Sequence, residues 1–183
     1  RSNSYDHDAN FAHGYDWVAR GEAAGAYLSF PSLKNAEAKA HTAEIIAFTD
    51  YGFFERWKSQ PWKKRDDEYK KLKENITQSL VGFVTKHYPG FDQIIEYSEL
   101  STPITTEYFS SHPRGSIYGV ACVPERFLST EAPWCNPVSP FENLYLTGAD
   151  VSSPGVAGAM MGAVATLSQL KNGFKLLDLM RLS

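Results

Sequence analysis

Between Tyr69 and His87 the apolar side chains recur in steps of three and four: Tyr69, Leu72, Ile76, Leu80, Phe83, Val84 and His87. That is the period of an α-helix, so the spacing predicts one long amphipathic helix over Lys63 to His87. Asp66, Asp67 and Glu68 stand near its start and Lys86 near its end, the order a helix dipole favours, and Pro89-Gly90 stops it. One apolar face needs a core to pack on, and the chain can supply it. Its 183 residues are 43% hydrophobic, 14% aromatic and 21% charged. A globule of this length hides about 70% of its unfolded surface. Disorder, collagen and coiled coil are poor descriptions of such a composition. At about 150 residues per domain the length corresponds to one domain, or one and a part.

Charge excludes one class of partner. Eighteen Lys and Arg against 21 Asp and Glu give a net charge of −3, with no basic excess to attract nucleic acid. Cys122 and Cys135 lack the Cys-x-x-Cys spacing of a redox or zinc site, and free thiols in a reducing compartment are expected. Arg1 to Asp16 has no basic-then-apolar order, so no secretory signal or transit peptide is visible and a cytoplasmic or peripheral membrane location is expected. The weakly polar run Val151 to Leu170 is interrupted by Ser152, Ser153, Pro154, Ser168 and Gln169, which favours a buried helix over a membrane span. His7 and His13, with Asp6, Asp8 and Asp16, contain no His pair one helical turn apart, and no metal is expected. His112, beside Pro113-Arg114, reads either as a proton donor or as a loop histidine satisfied by backbone. No serine or cysteine sits in a nucleophile elbow.

Several shorter segments suit strands. Tyr27, Leu28 and Phe30 run into Pro31, and Glu44 to Thr49 places apolar residues on both faces, as a strand covered on both sides would. Gln93 to Leu100 reads as a further strand, followed by a helix start with Thr102 as cap and Pro103 in the first helical position. Glu131 to Pro140, with three prolines, is expected to link two regions. Beyond it Asn143 to Thr147 reads as a strand, Gly148-Ala149-Asp150 as a turn, Gly155 to Leu170 as a helix, and Phe174 onward as a last amphipathic helix. The expected regions are therefore 1–140, 141–173 and 174–183.

The strand, turn and glycine-opened helix from Leu144 to Ala159 is the most informative stretch. A helix start presents unpaired N–H groups and partial positive charge, and missing side chains admit an anionic or electron-rich group such as a phosphate or a flavin edge. Gly158, Ala159, Gly162 and Ala163 equally suit a helix that lies very close to a sheet or another helix. The order Gly-x-Gly-x-x-Gly is absent, so spacing alone leaves both readings open.

The run Asn143 to Gly158 resembles the C-terminal FAD motif of the phytoene desaturase family, which includes carotenoid isomerases and retinol saturases. Glu99-Leu100-Ser101-Thr102-Pro103-Ile104-Thr105, Arg114-Gly115-Ser116-Ile117-Tyr118-Gly119, Tyr5-Asp6-His7-Asp8, Ser29-Phe30-Pro31-Ser32 and Trp57 to Trp62 agree with it, so the resemblance covers most of the chain. It implies an α+β fold: a substrate domain of mixed or antiparallel sheet with helices, plus the returning last strand and helix of a Rossmann-like FAD domain, as in amine-oxidase-like flavoproteins. Gly148 and Asp150 would lie near the FAD diphosphate and ribityl chain, and Gly155, Val156 and Ala157 would turn backbone N–H groups toward the flavin. The family's N-terminal dinucleotide fingerprint is nowhere in these 183 residues. The resemblance thus implies the C-terminal part of a longer polypeptide, inactive by itself and partnered by an FAD domain.

The implied activity is hydride transfer between a carbon-carbon bond of a carotenoid or retinoid and flavin N5. An apolar tunnel would hold the polyene, with Phe30, Phe109 and Tyr118 in its lining, and no catalytic side chain is assigned. A redox-neutral cis-trans isomerase and a non-catalytic lipid-binding or interaction module are the alternatives. Phe174 to Leu182 would either touch a membrane or pack on the FAD domain.

Overall fold

Asp66 fixes the start of the long helix. Its backbone is extended (φ −64°, ψ 174°) and its carboxylate accepts the N–H of Tyr69 at 2.9 Å, which satisfies one of the donors a helix start leaves over. The computed structural model describes residues 15–121, 123–128 and 136–170. In chain order they form α1 (Trp17–Arg20), β1 (Tyr27–Ser29), β2 (Glu44–Ile46), α2 (Gly52–Glu55), α3 (Asp67–His87), α4 (Pro103–Ser110), α5 (Glu125–Leu128) and α6 (Val156–Leu170). The chain divides into two units, Arg1–Gly115 and Ser116–Ser183.

In the first unit α3 is the expected amphipathic helix, beginning four residues later than the periodicity suggests because Asp66 caps it. Tyr69, Ile76, Leu80, Phe83 and Val84 are buried, and Trp17, Tyr51, Phe54, Trp57, Phe91 and Ile104 complete the core around them. Phe54 and Ile104 are the most enclosed, and burial of such a side chain contributes about 2–3 kcal/mol each. Two polar contacts hold the flanking segments: Trp17 Nε1 donates to Phe48 O at 2.7 Å, and the Ala23 N–H donates to Ser79 Oγ at 2.8 Å. Tyr88 N–H closes α3 on Val84 O, and Gly90, at φ +89°, turns the chain away as expected.

The sheet is smaller than the sequence suggests. β1 and β2 pair antiparallel over three residues, Tyr27 with Ile46, Leu28 with Ile45 and Ser29 with Glu44. Only Leu28 and Ile45 pack on the core, while Tyr27 and Ile46 are exposed. Apolar residues on both faces of 44–49 thus do not mean cover on both sides; one face lies open. Gln93 to Leu100 is not a strand. Phe91–Ile94 forms a 3-10 turn anchored by buried Phe91, and the rest finds no strand to pair with, leaving Ile94 and Tyr97 outside. Thr102 does occupy the cap position of α4, but its hydroxyl serves Tyr69 and Thr105 instead of the helix N–H groups.

In the second unit, Asn143 to Thr147 makes a single antiparallel bridge, Tyr145 to Val138, with Leu146 N–H donating to Pro137 O at 2.8 Å. Asn143 at φ +60° bends the chain out of extended geometry, so no ladder develops. A 3-10 turn, Ala149–Val151, leads into α6. The expected buried helix is buried along one stripe only: Gly158, Gly162 and Thr166 are inside, whereas Val156, Met160, Met161, Leu167 and Leu170 are exposed. The described residues are thus helical with one small antiparallel sheet, and among them no helix is long and apolar enough to cross a membrane. Both cysteines, the N-terminal His and Asp residues apart from Asp16, and the expected helix from Phe174 lie outside the described residues.

Candidate functional site

The glycine-rich motif falls into two physical classes. A Cβ added to Gly162 would overlap the Gly148 carbonyl oxygen, and one added to Gly158 would overlap the Ser153 carbonyl oxygen. These glycines let α6 lie directly on the turn that precedes it. Thr166 extends the stripe, its hydroxyl within hydrogen-bond distance of Leu146 O (2.7 Å) and Gly162 O (2.9 Å). Gly148 and Gly155, both at φ +93°, have open space where a side chain would stand. The close-packing reading therefore describes Gly158 and Gly162, and room for a ligand remains at Gly148 and Gly155.

Two charged residues pin the turn. Asp150 accepts the Val120 N–H at 3.0 Å, with its carboxylate hard against Gly119. Arg126, only 4% exposed, donates through Nη1 to Val120 O at 3.1 Å and through Nη2 to Ala149 O at 2.7 Å, with Ser152 O at 3.5 Å. Three backbone carbonyls around one guanidinium make the 148–152 turn a preformed element. Nothing in the sequence marks Arg126, because two of the carbonyls that enclose it, Ala149 O and Ser152 O, come from 23 and 26 positions away. Across the start of α6, Ala159 N–H donates to Gly155 O at 3.0 Å. The N–H groups of Val156, Ala157 and Gly158 thus have no acceptor within the helix, and Val156 and Ala157 stand at the surface.

The two expected tunnel residues of the first unit, Phe30 and Phe109, do not line the same cavity. Phe109 lines a cavity of about 690 Å³ in the first unit and meets Trp62 edge-on at 5.1 Å. Phe30 lies before the turn Pro31–Lys34, outside that lining, and Tyr118 is half-exposed in the second unit. His112 is exposed in the loop after α4. On α4, Glu107 accepts from Lys58 Nζ at 2.8 Å and from the Tyr51 hydroxyl at 2.5 Å. Lys58 foremost, then Tyr51, hold the Glu107 carboxyl below the usual carboxylate range, while burial, then Glu107, pushes the Tyr51 hydroxyl up. This network ties α2 to α4. Among the described residues no three His, Cys, Asp or Glu side chains converge as metal ligands.

No family model matches the chain, and no solved structure matches it. Over 151 residues, 80% of its length, it is 37% identical to the all-trans-retinol 13,14-reductase of Danio rerio. The chain is homologous to a part of the all-trans-retinol 13,14-reductases. It is 28% identical over 149 residues to the Homo sapiens protein of that name, and 26% identical over 164 residues to the inactive all-trans-retinol 13,14-reductase of Danio rerio. The chain spans about a quarter of the length of these retinol reductases. One of these relatives is named inactive, so likeness to the reductases does not by itself carry the activity.

Proposed function

We propose that the chain is the C-terminal part of an FAD-dependent oxidoreductase that reduces a carbon-carbon double bond of a retinoid or related polyene. The observation that carries this reading is the preformed turn and helix start from Gly148 to Ala157. Its open positions are at Gly148 and Gly155, and its free N–H groups are at Val156 and Ala157. FAD, when bound, would supply the hydride at its N5.

The residues present fit one wall of such a site. Gly155 leaves room for a planar ring to approach backbone, and the α6 start offers donors and partial positive charge to the edge where reduction accumulates negative charge. Asp150 would act at one remove, since its carboxylate already accepts the Val120 N–H and so shapes the turn. Arg126 holds the same turn from its carbonyl side. The uncovered apolar face of α6, with Val156, Met160 and Leu167, supports a role in packing against an FAD domain. Reductase names among the relatives favour reduction over isomerisation.

The test is the visible spectrum of the full-length polypeptide, followed by incubation with all-trans-retinol under reducing conditions and mass analysis of the product. Flavin bands and a product heavier by two hydrogens are expected, with the bands lost in Gly155→Val. A product of unchanged mass would replace reduction by isomerisation. No flavin after FAD is added would leave a non-catalytic module.

A further inference from the structure

Among the described residues of the first unit, one buried cation has no counter-ion. Arg65 is 8% exposed and lines the 690 Å³ cavity. Its Nη1 donates to the Tyr69 hydroxyl at 3.2 Å, its Nε is buried with no acceptor, and among the described residues no carboxylate lies within ion-pair distance. The neighbouring acids are committed elsewhere. Asp66 accepts from Tyr69 N–H, Trp57 Nε1 and Gln60 Nε2, and Asp67 pairs with Lys70. A desolvated guanidinium is costly unless an anion or several acceptors compensate it.

We propose that this cavity binds a phosphate group, carried by a molecule with an apolar or aromatic body. Lys63 and Lys73 join Arg65 in the lining, and Glu99 is the one carboxylate there. Arg65 offers the planar, multidentate donor set that phosphate oxygens match. The hydroxyls beside it form a directed chain. With Nη1 donating to Tyr69, the Tyr69 proton is free for Thr102 Oγ1 at 2.7 Å, and the Thr102 proton for Thr105 Oγ1 at 3.1 Å. The Thr105 proton, in the cavity lining, is then left for the ligand. Trp62 and Phe109 supply an apolar wall, with the Lys63 ammonium 4.5 Å from the Trp62 ring centre. The volume admits a phosphate together with such a body. A free phosphorylated compound and a phospholipid headgroup share this chemistry.

Thermal melting of the full-length polypeptide with inorganic pyrophosphate, against chloride at equal ionic strength, tests the site. At ten times Kd the midpoint should rise by about 1 °C, the size expected for a polypeptide roughly four times this chain's length. Arg65→Gln should abolish the rise, because it removes the buried guanidinium, whose contacts in the ligand-free protein are with the Tyr69 hydroxyl and ring. Lys73→Gln, on the cavity wall and outside the core, should weaken binding about 5- to 10-fold and serves if Arg65→Gln fails to fold. Sedimentation with phosphatidic acid vesicles and with phosphatidylcholine vesicles distinguishes the sources. Binding to the former alone, competed by pyrophosphate, identifies a headgroup; pyrophosphate binding without vesicle binding identifies a free ligand. No response of the wild type to either probe would overturn the proposal, as would equal responses from wild type and variants. Neither outcome depends on flavin or retinoid chemistry.

Discussion

Gly162→Ala sets two forces against each other. On helix propensity alone the change should stabilise α6 by about 1 kcal/mol, since glycine is the least favourable residue short of proline in a helix interior. Contact geometry demands the reverse. The new Cβ would overlap the Gly148 carbonyl oxygen and lie 2.8 Å from the Gly148 carbonyl carbon. That backbone cannot give way easily, because the two residues that follow it are held, Ala149 O by Arg126 and the Asp150 carboxylate by the Val120 N–H. Lifting α6 off the turn costs about 1–3 kcal/mol as overpacking and about 1 kcal/mol more for the Thr166–Leu146 hydrogen bond. Less the propensity gain, the net is a loss of about 1–3 kcal/mol. Native-state hydrogen exchange reads this locally: α6 amides should exchange about 5- to 150-fold faster in the variant. Ala163→Gly, at an exposed position of the same helix, provides the control and should cost only the propensity term, about 1 kcal/mol. Slower exchange in Gly162→Ala would refute the close packing of α6 on its turn, and with it the separation of the glycines into two classes.

Asp66→Asn keeps a capping acceptor at the start of α3 but removes its charge, so a denaturant titration at neutral pH should show a destabilisation smaller than loss of the whole cap would give. Gln60 foremost, then the Tyr69 N–H, hold the Asp66 carboxyl below its ordinary pKa of 3.8, so its stabilisation is present above that value and is lost as pH falls through the lower folded-state pKa. The difference between wild type and variant should accordingly shrink below about pH 4, and a gap that stays constant in acid would show that the charge plays no part. Arg126→Met leaves the carbonyls of Val120 and Ala149 without their donor, and should destabilise the second unit by about 2–3 kcal/mol. In the full-length polypeptide the same change should weaken flavin retention, read as flavin absorbance after gel filtration, although Arg126 would not touch the flavin.

How far the sequence could be read depended on whether a feature is set by one segment or by two. Tyr69, Ile76, Leu80, Phe83 and Val84 announce α3 because helical periodicity records burial directly. Gln93 to Leu100 and Asn143 to Thr147 have strand-like composition, yet a strand exists only where a second segment pairs with it, and a single segment carries no record of its partner. Arg126 is hidden for the same reason: Ala149 O, 23 positions on, helps to enclose it, and an isolated arginine in sequence reads as surface.

The glycines of the Gly148–Gly162 stretch fall between these cases. Sequence marks them all as places of close approach, without saying what approaches. The structure divides them: the helix's own turn fills the space at Gly158 and Gly162, and nothing fills it at Gly148 and Gly155. Substitution should therefore act differently along one motif. A side chain at Gly162 would reduce the stability of α6 whether or not flavin is bound. One at Gly155 would meet no atom of the chain, so its effect should fall on cofactor binding beyond the strain of its positive φ. A loss at Gly155 that is equal in flavin-free and flavin-loaded protein would mean that the open position is a turn requirement and that no cofactor approaches it.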